Sequence, residues 1–135
     1  MAQYLSTTPQ VLTADSPVIL QSTEIKGGCS ISHRDGTPTV TVKGSGCACN
    51  PARYKVFVHV TISAPAAAVV QLALAEDGVI MPETLMSLPP VSEGTILSAS
   101  TGKTIQADAC CDRITIVAIT DATVQTALLS VERVA

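Results

Sequence analysis

From Arg53 to Ile62 the chain alternates without a break. Tyr54, Val56, Val58, Val60 and Ile62 fall on one side, and Arg53, Lys55, Phe57, His59 and Thr61 fall on the other. A period of two over this length, rich in β-branched residues, predicts a strand, because the 3.6-residue period of a helix would scatter both sets around its circumference. One face of this central strand is expected to be core. The other carries Phe57 and His59 at its middle, which is not the composition of a plain solvent face, so something else is expected to cover it.

The same pattern, read along the chain, predicts only strands. Met1 to Gln10 is polar, carries Pro9, and reads as an arm or a short edge segment. A first short strand is expected around Val18 to Leu20. Cys29 to His33 and Pro38 to Lys43 flank Asp35-Gly36, a hairpin signal, and Gly44 to Pro51 has no apolar period. Beyond the central strand, Val69 to Glu76 resumes the alternation up to a second Asp-Gly step, Asp77-Gly78. Val79 to Leu88 is interrupted by Pro82, which marks an edge or a bulge. Thr95 to Ala107 forms one or two strands around Thr101-Gly102, Arg113 to Ile119 forms another, and Thr123 to Val134 closes the chain. Ala64 to Ala75 is the best helix candidate, but Val69-Val70 and the abrupt Asp77-Gly78 favour a strand. The expectation is an all-β sandwich of about nine or ten short strands.

Composition changes this picture in two ways. A chain of 135 residues holds one core, and with one Phe, two Tyr and no Trp that core must be built from Val, Ile, Leu and Ala. Only 14% of residues are charged, the net charge is -3 and the mean hydropathy is positive, a charge-poor balance that suits a chain hiding surface in an oligomer. Scarce aromatics and an acidic balance exclude the usual nucleic-acid readers. No run approaches a membrane span and the first twenty residues lack an export signal, so neither nucleic acid nor membrane is an expected partner.

Candidate chemistry is thin. The only histidines are His33, beside the Arg34-Asp35-Gly36 turn, and His59, read as a hydrogen-bonding residue on a strand face. A thiol dyad of Cys110 or Cys111 with His59 would need a nucleophile-elbow or protease signature, and neither cysteine has one. Glu76-Asp77 lacks the alternating Asp/Asn ladder of a calcium loop and reads as a hairpin turn. Gly44-Ser45-Gly46-Cys47 lacks the Lys-Ser/Thr ending of a phosphate loop. The chain therefore reads as non-enzymatic, with no catalytic residue, cofactor or metal ligand expected.

Arg53-Tyr54 opening the central strand, Val70-Gln71-Leu72-Ala73-Leu74 leading to Asp77-Gly78, Ile114-Thr115-Ile116, and the closing Leu128-Leu129-Ser130-Val131-Glu132-Arg133-Val134 occur in a characteristic order. In these residues the chain, from about Cys29 to its C-terminus, resembles the tumour necrosis factor and complement globular-head superfamily. The likeness is to the short bacterial and bacteriophage form, also seen as the head of collagen-like spore-surface proteins. The resemblance implies a two-sheet antiparallel jelly-roll sandwich, residues 16–135, behind an N-terminal arm, residues 1–15. It also implies a homotrimer with the inner sheet of each subunit facing the threefold axis. The residues alone point the same way, since Phe57, His59 and Lys55 on one strand and Leu128 on another give the sheet a second face that needs a burial partner, most simply a neighbouring subunit.

If the jelly-roll order holds, the strand from Arg53 and the strand ending near Ala107 run side by side and antiparallel, which brings Cys47 and Cys49 to the same end as Cys110 and Cys111. Four thiols there would make one or two disulfides, stay free, or form a tetrahedral zinc site. The function expected on these grounds is structural. It is a trimeric capsid decoration or head-fibre-like accessory protein of a bacteriophage, assembled in the host cytoplasm, resident in the virion, and in contact with capsid or other virion proteins. The alternative is a receptor- or glycan-binding head of a phage or of a spore or cell surface.

Overall fold

The computed structural model describes residues 1–44, 52–65, 68–107 and 111–134. Thirteen strands occur among them: β1 (Ala2–Ser6), β2 (Gln10–Leu12), β3 (Ser16–Pro17), β4 (Ser22–Ile25), β5 (Ile31–His33), β6 (Val40–Lys43), β7 (Ala52–Ser63), β8 (Val70–Glu76), β9 (Val79–Ile80), β10 (Met86–Leu88), β11 (Ile96–Ala107), β12 (Cys111–Ala118) and β13 (Ala122–Arg133). One antiparallel sheet has the order β11-β7-β13-β1-β4, with β2 also on β13. The other has the order β10-β8-β12-β6-β5, with β3 on β12 and β9 on β8. The two pack face to face as a jelly-roll sandwich.

The central strand is β7, whose twelve residues alternate as expected, with Tyr54, Val56, Val58, Val60 and Ile62 all buried. Opposite them, β8 and β12 contribute Leu72, Leu74, Ile114 and Ile116, also fully buried. β11 is one unbroken strand along the whole of β7, from Ile96 opposite Ser63 to Ala107 opposite Ala52. On the other side of β7, β13 has a register shift between Val124 and Thr126. The extra residue reverses the parity of the strand, so Ala122 and Val124 face inward before the shift and Ala127, Leu129 and Val131 after it. Leu128 is thereby turned outward. The Asp77-Gly78 turn has φ of 51° and 84° at its two central residues, the left-handed pair that a two-residue hairpin requires and that Asp-Gly supplies at little strain.

Three expectations are corrected. Residues 1–15 are not an arm: Ala2–Ser6 lies between β13 and β4 with Ala2, Tyr4 and Ser6 buried, because alternate residues of this short segment fill the sandwich while the polar ones point out. Gln10 ties β2 to the segment near Ile19, its amide donating to the Ser6 hydroxyl and the Ile19 carbonyl while its oxygen accepts from the Ile19 N–H. Val18 to Leu20 is no strand. Both end residues are buried, but they bond Ile116 and Thr37 singly, without a ladder. Pro82 opens a one-turn 3-10 helix, Pro82–Thr84, rather than a bulge within a strand. There the buried Thr84 hydroxyl donates to the Met81 carbonyl and accepts from the Leu74 N–H.

Candidate functional site

The outward face of the long-strand sheet is laid out by cross-strand rows. In the first, Thr104 of β11, Lys55 of β7 and Glu132 of β13 stand side by side. In the next come Gly102, Phe57 and Ser130, then Ser100, His59 and Leu128, with Leu5 of β1 beyond Leu128. Two rows on, Ile96 and Thr123 flank Ser63. Phe57 is 45% exposed and Ile96 57% exposed, whereas His59 and Leu128 are half-buried among their neighbours. Lys55, Phe57 and His59, the residues singled out by the alternation, share one face of one strand.

Gly102, which the alternation does not mark as a site residue, shapes the centre of this face. A Cβ built there would stand 3.1 Å from the Val56 carbonyl oxygen, a tight approach, and 3.8 Å from Cδ2 of Phe57, an ordinary contact, so a side chain here would crowd the β7 backbone and reach the Phe57 ring. Beside the ring lies a shallow depression of about 630 Å³ walled by Lys55, Thr104, Ser130 and Glu132. The face thus carries charges of both signs at one end and apolar side chains at the other.

A second polar group closes the side of the sandwich between the sheets. Glu76 ends β8 in phase with Leu72 and Leu74, and the buried Asp112 lies on β12 in phase with Ile114. The Glu76 carboxyl is pushed up to about 7, first by burial, then by its hydrogen bond with Asp112 and the charges of Asp112 and Asp77, with Lys103 opposing. Lys103, inward on β11, is paired with Glu83, whose carboxyl is held below its ordinary value chiefly by that hydrogen bond. The sequence carried a signal for this group in Asp112, an acid at an inward position of an otherwise apolar strand.

The remaining candidates fall apart in space. His33 packs against the Tyr4 ring at 4.6 Å between centroids, with both ring nitrogens against backbone carbonyls, those of Thr39 at 3.0 Å and Leu20 at 2.9 Å. His59 is on the outward face of one sheet and Cys111 at the end of a strand in the other, so the two do not form a dyad. Cys47, Cys49 and Cys110 lie outside the described residues, and with them the question of a cysteine cluster. Cys111 is exposed at the first position of β12, opposite Lys43. The strand order behind that cluster is present, since Ala52 and Ala107 are register partners at the same end. There too the buried Tyr54 hydroxyl donates to the Lys43 carbonyl at 2.6 Å, joining the two sheets. Among the described residues no group of three or more His, Cys, Asp or Glu side chains is arranged to hold a metal ion.

In sequence, no family model matches the chain and no curated protein matches it. In structure it is similar to the globular domain of zebrafish complement 1qA protein, with 14% identity, a TM-score of 0.71 and coverage of 99% of this chain and 96% of that one. Similar too are Eiger TNF from S. frugiperda, with 12% identity, a TM-score of 0.70 and coverage of 99% and 91%, and murine APRIL, with 11% identity, a TM-score of 0.65 and coverage of 97% and 98%. At such identities the likeness is one of fold. The chain is a TNF-like jelly roll.

Proposed function

We propose that this protein is a non-enzymatic homotrimeric module whose subunits meet through the outward face of the long-strand sheet, and that it serves as an accessory or decoration protein of a bacteriophage capsid. One observation carries the assembly: the aromatic residues are distributed the wrong way round for a monomer. Both tyrosines, the more polar rings, are buried, while the only phenylalanine is 45% exposed in the middle of the central strand. Fully burying a Phe side chain is worth about 1.5–3 kcal/mol, and Leu128 and Ile96 on the same face extend the apolar area that a partner would cover. The registers Lys55–Glu132 and Phe57–Gly102 supply polar complementarity and a recess for a facing side chain.

The particle role is supported by the resemblance to the short bacteriophage form of this fold and by a composition with few charges. Light scattering tests the assembly: a species of three times the 13.9 kDa chain mass is expected at micromolar concentration, and a stable monomer overturns it. The particle role is tested by gene neighbourhood. Capsid and scaffold genes beside this one support decoration, and sporulation genes remove it.

A further inference from the structure

The outward face of the other sheet, which the proposed assembly leaves open, carries a concavity of about 580 Å³. Its floor is a cross-strand row in which Ser32 of β5 and Arg113 of β12 both stand opposite Thr41 of β6. These side chains point away from the core, since the intervening Val40, Val42 and Ile114 are fully buried. The wall is the β5–β6 connection, where Arg34 and Thr39 face the row. Two arginines thus line one concavity together with three hydroxyl-bearing side chains, in a protein whose net charge is -3.

Among the described residues neither guanidinium is hydrogen-bonded or paired with a carboxylate. Of the acids in the adjoining turns, Asp35 accepts from the Thr23 hydroxyl at 2.6 Å and Asp77 accepts from the backbone N–H of Arg113 at 3.0 Å. The hydroxyls of Ser32, Thr39 and Thr41 also have no partner within the described residues, whereas that of Thr37 donates to the Arg34 carbonyl at 2.6 Å and holds the turn that presents Arg34. An arginine fork matches the paired oxygens of a carboxylate, sulfate or phosphate, and a hydroxyl serves as donor or acceptor to a hydroxylated ligand.

We infer that this concavity is a binding site for an oxyanion, with Arg34 and Arg113 gripping the charged group and Ser32, Thr39 and Thr41 hydrogen-bonding the remainder of its carrier. The volume admits a sugar unit bearing such a group as readily as a free anion. The probes are inorganic sulfate, a sulfated disaccharide and the same disaccharide without sulfate, titrated into the protein with calorimetric detection. Saturable binding of an anionic probe is expected, weakened at least tenfold by Arg34→Gln or Arg113→Gln and less by Arg113→Lys, and weakened further by added salt. Both side chains are exposed, so the variants are expected to fold, which circular dichroism checks. Tighter binding of the sulfated disaccharide than of sulfate assigns the site to a saccharide, and equal or tighter binding of sulfate assigns it to the free anion. Failure of both anionic probes to bind, equal binding of the unsulfated sugar, or binding that survives both glutamine variants overturns the site.

Discussion

Neighbouring residues of β7 are expected to fail in different ways when charged. Val58 is fully buried between the sheets, and an aspartate there places an unpaired charge in the core at a cost of several kcal/mol, against a total stability of about 5–15 kcal/mol for a small domain. Val58→Asp should therefore not fold. Phe57 points the other way, so Phe57→Asp should give the same circular dichroism spectrum as the parent but elute as dissociated subunits. Dissociation by Val58→Asp without loss of structure, or an intact oligomer with Phe57→Asp, would mean that the two faces have been exchanged. Tyr54 tests a quieter contact. Its hydroxyl reaches the Lys43 carbonyl across the sheets, and Tyr54→Phe leaves that carbonyl without its donor. A loss of about 1–2 kcal/mol is expected, measured as a lower denaturation midpoint at unchanged slope.

At the level of strands, the end of β8 carries a titrating group whose proton is held through its neighbour on β12. Glu76 takes a value of about 7 in the fold against an ordinary 4.5, so between those values the folded protein holds a proton that the unfolded chain has released. The stabilisation from this group is complete below about pH 4.5 and is lost as the pH rises through about 7. The protein should therefore be more resistant to urea at pH 5.5 than at pH 8, and Glu76→Gln, which keeps the hydrogen-bonding shape without titrating, should flatten that difference. An unchanged slope in the variant would assign the pH dependence to other groups. The same two strands carry Leu74 and Ile114, so Glu76 takes up its proton next to the core.

For the molecule as a whole, the proposed assembly links folding to concentration. If the Phe57 face is buried only in the oligomer, association draws the folding equilibrium forward by mass action. The thermal midpoint should then rise as protein concentration is raised over two orders of magnitude, while that of Phe57→Asp stays constant. A midpoint independent of concentration in the parent chain would count against assembly as a source of stability. The cationic concavity belongs to the opposite sheet and to one subunit, so a trimer would present three copies of it. Such repetition raises avidity for a repetitive ligand without any new contact.

How much of this is legible in the sequence depends on the range over which each feature is decided. The twelve-residue β7, the Asp77-Gly78 hairpin and the shared face of Lys55, Phe57 and His59 are local, since the pleat of a strand puts alternate residues on opposite faces wherever the strand is placed. The place of Ala2–Ser6 is not local. Five residues with two buried apolar side chains look like an arm until β13, more than a hundred residues away, supplies the ladder beside them. Gly102 opposite Phe57, Asp112 hydrogen-bonded to Glu76, and Arg34 and Arg113 on one concavity are likewise meetings of distant segments, formed by register and sheet packing. Periodicity alone thus determined the strands and their core faces, because backbone geometry acts on each residue and its nearest neighbours. Only the tertiary structure decided which side chains meet, because burial is shared among segments that the chain itself keeps far apart.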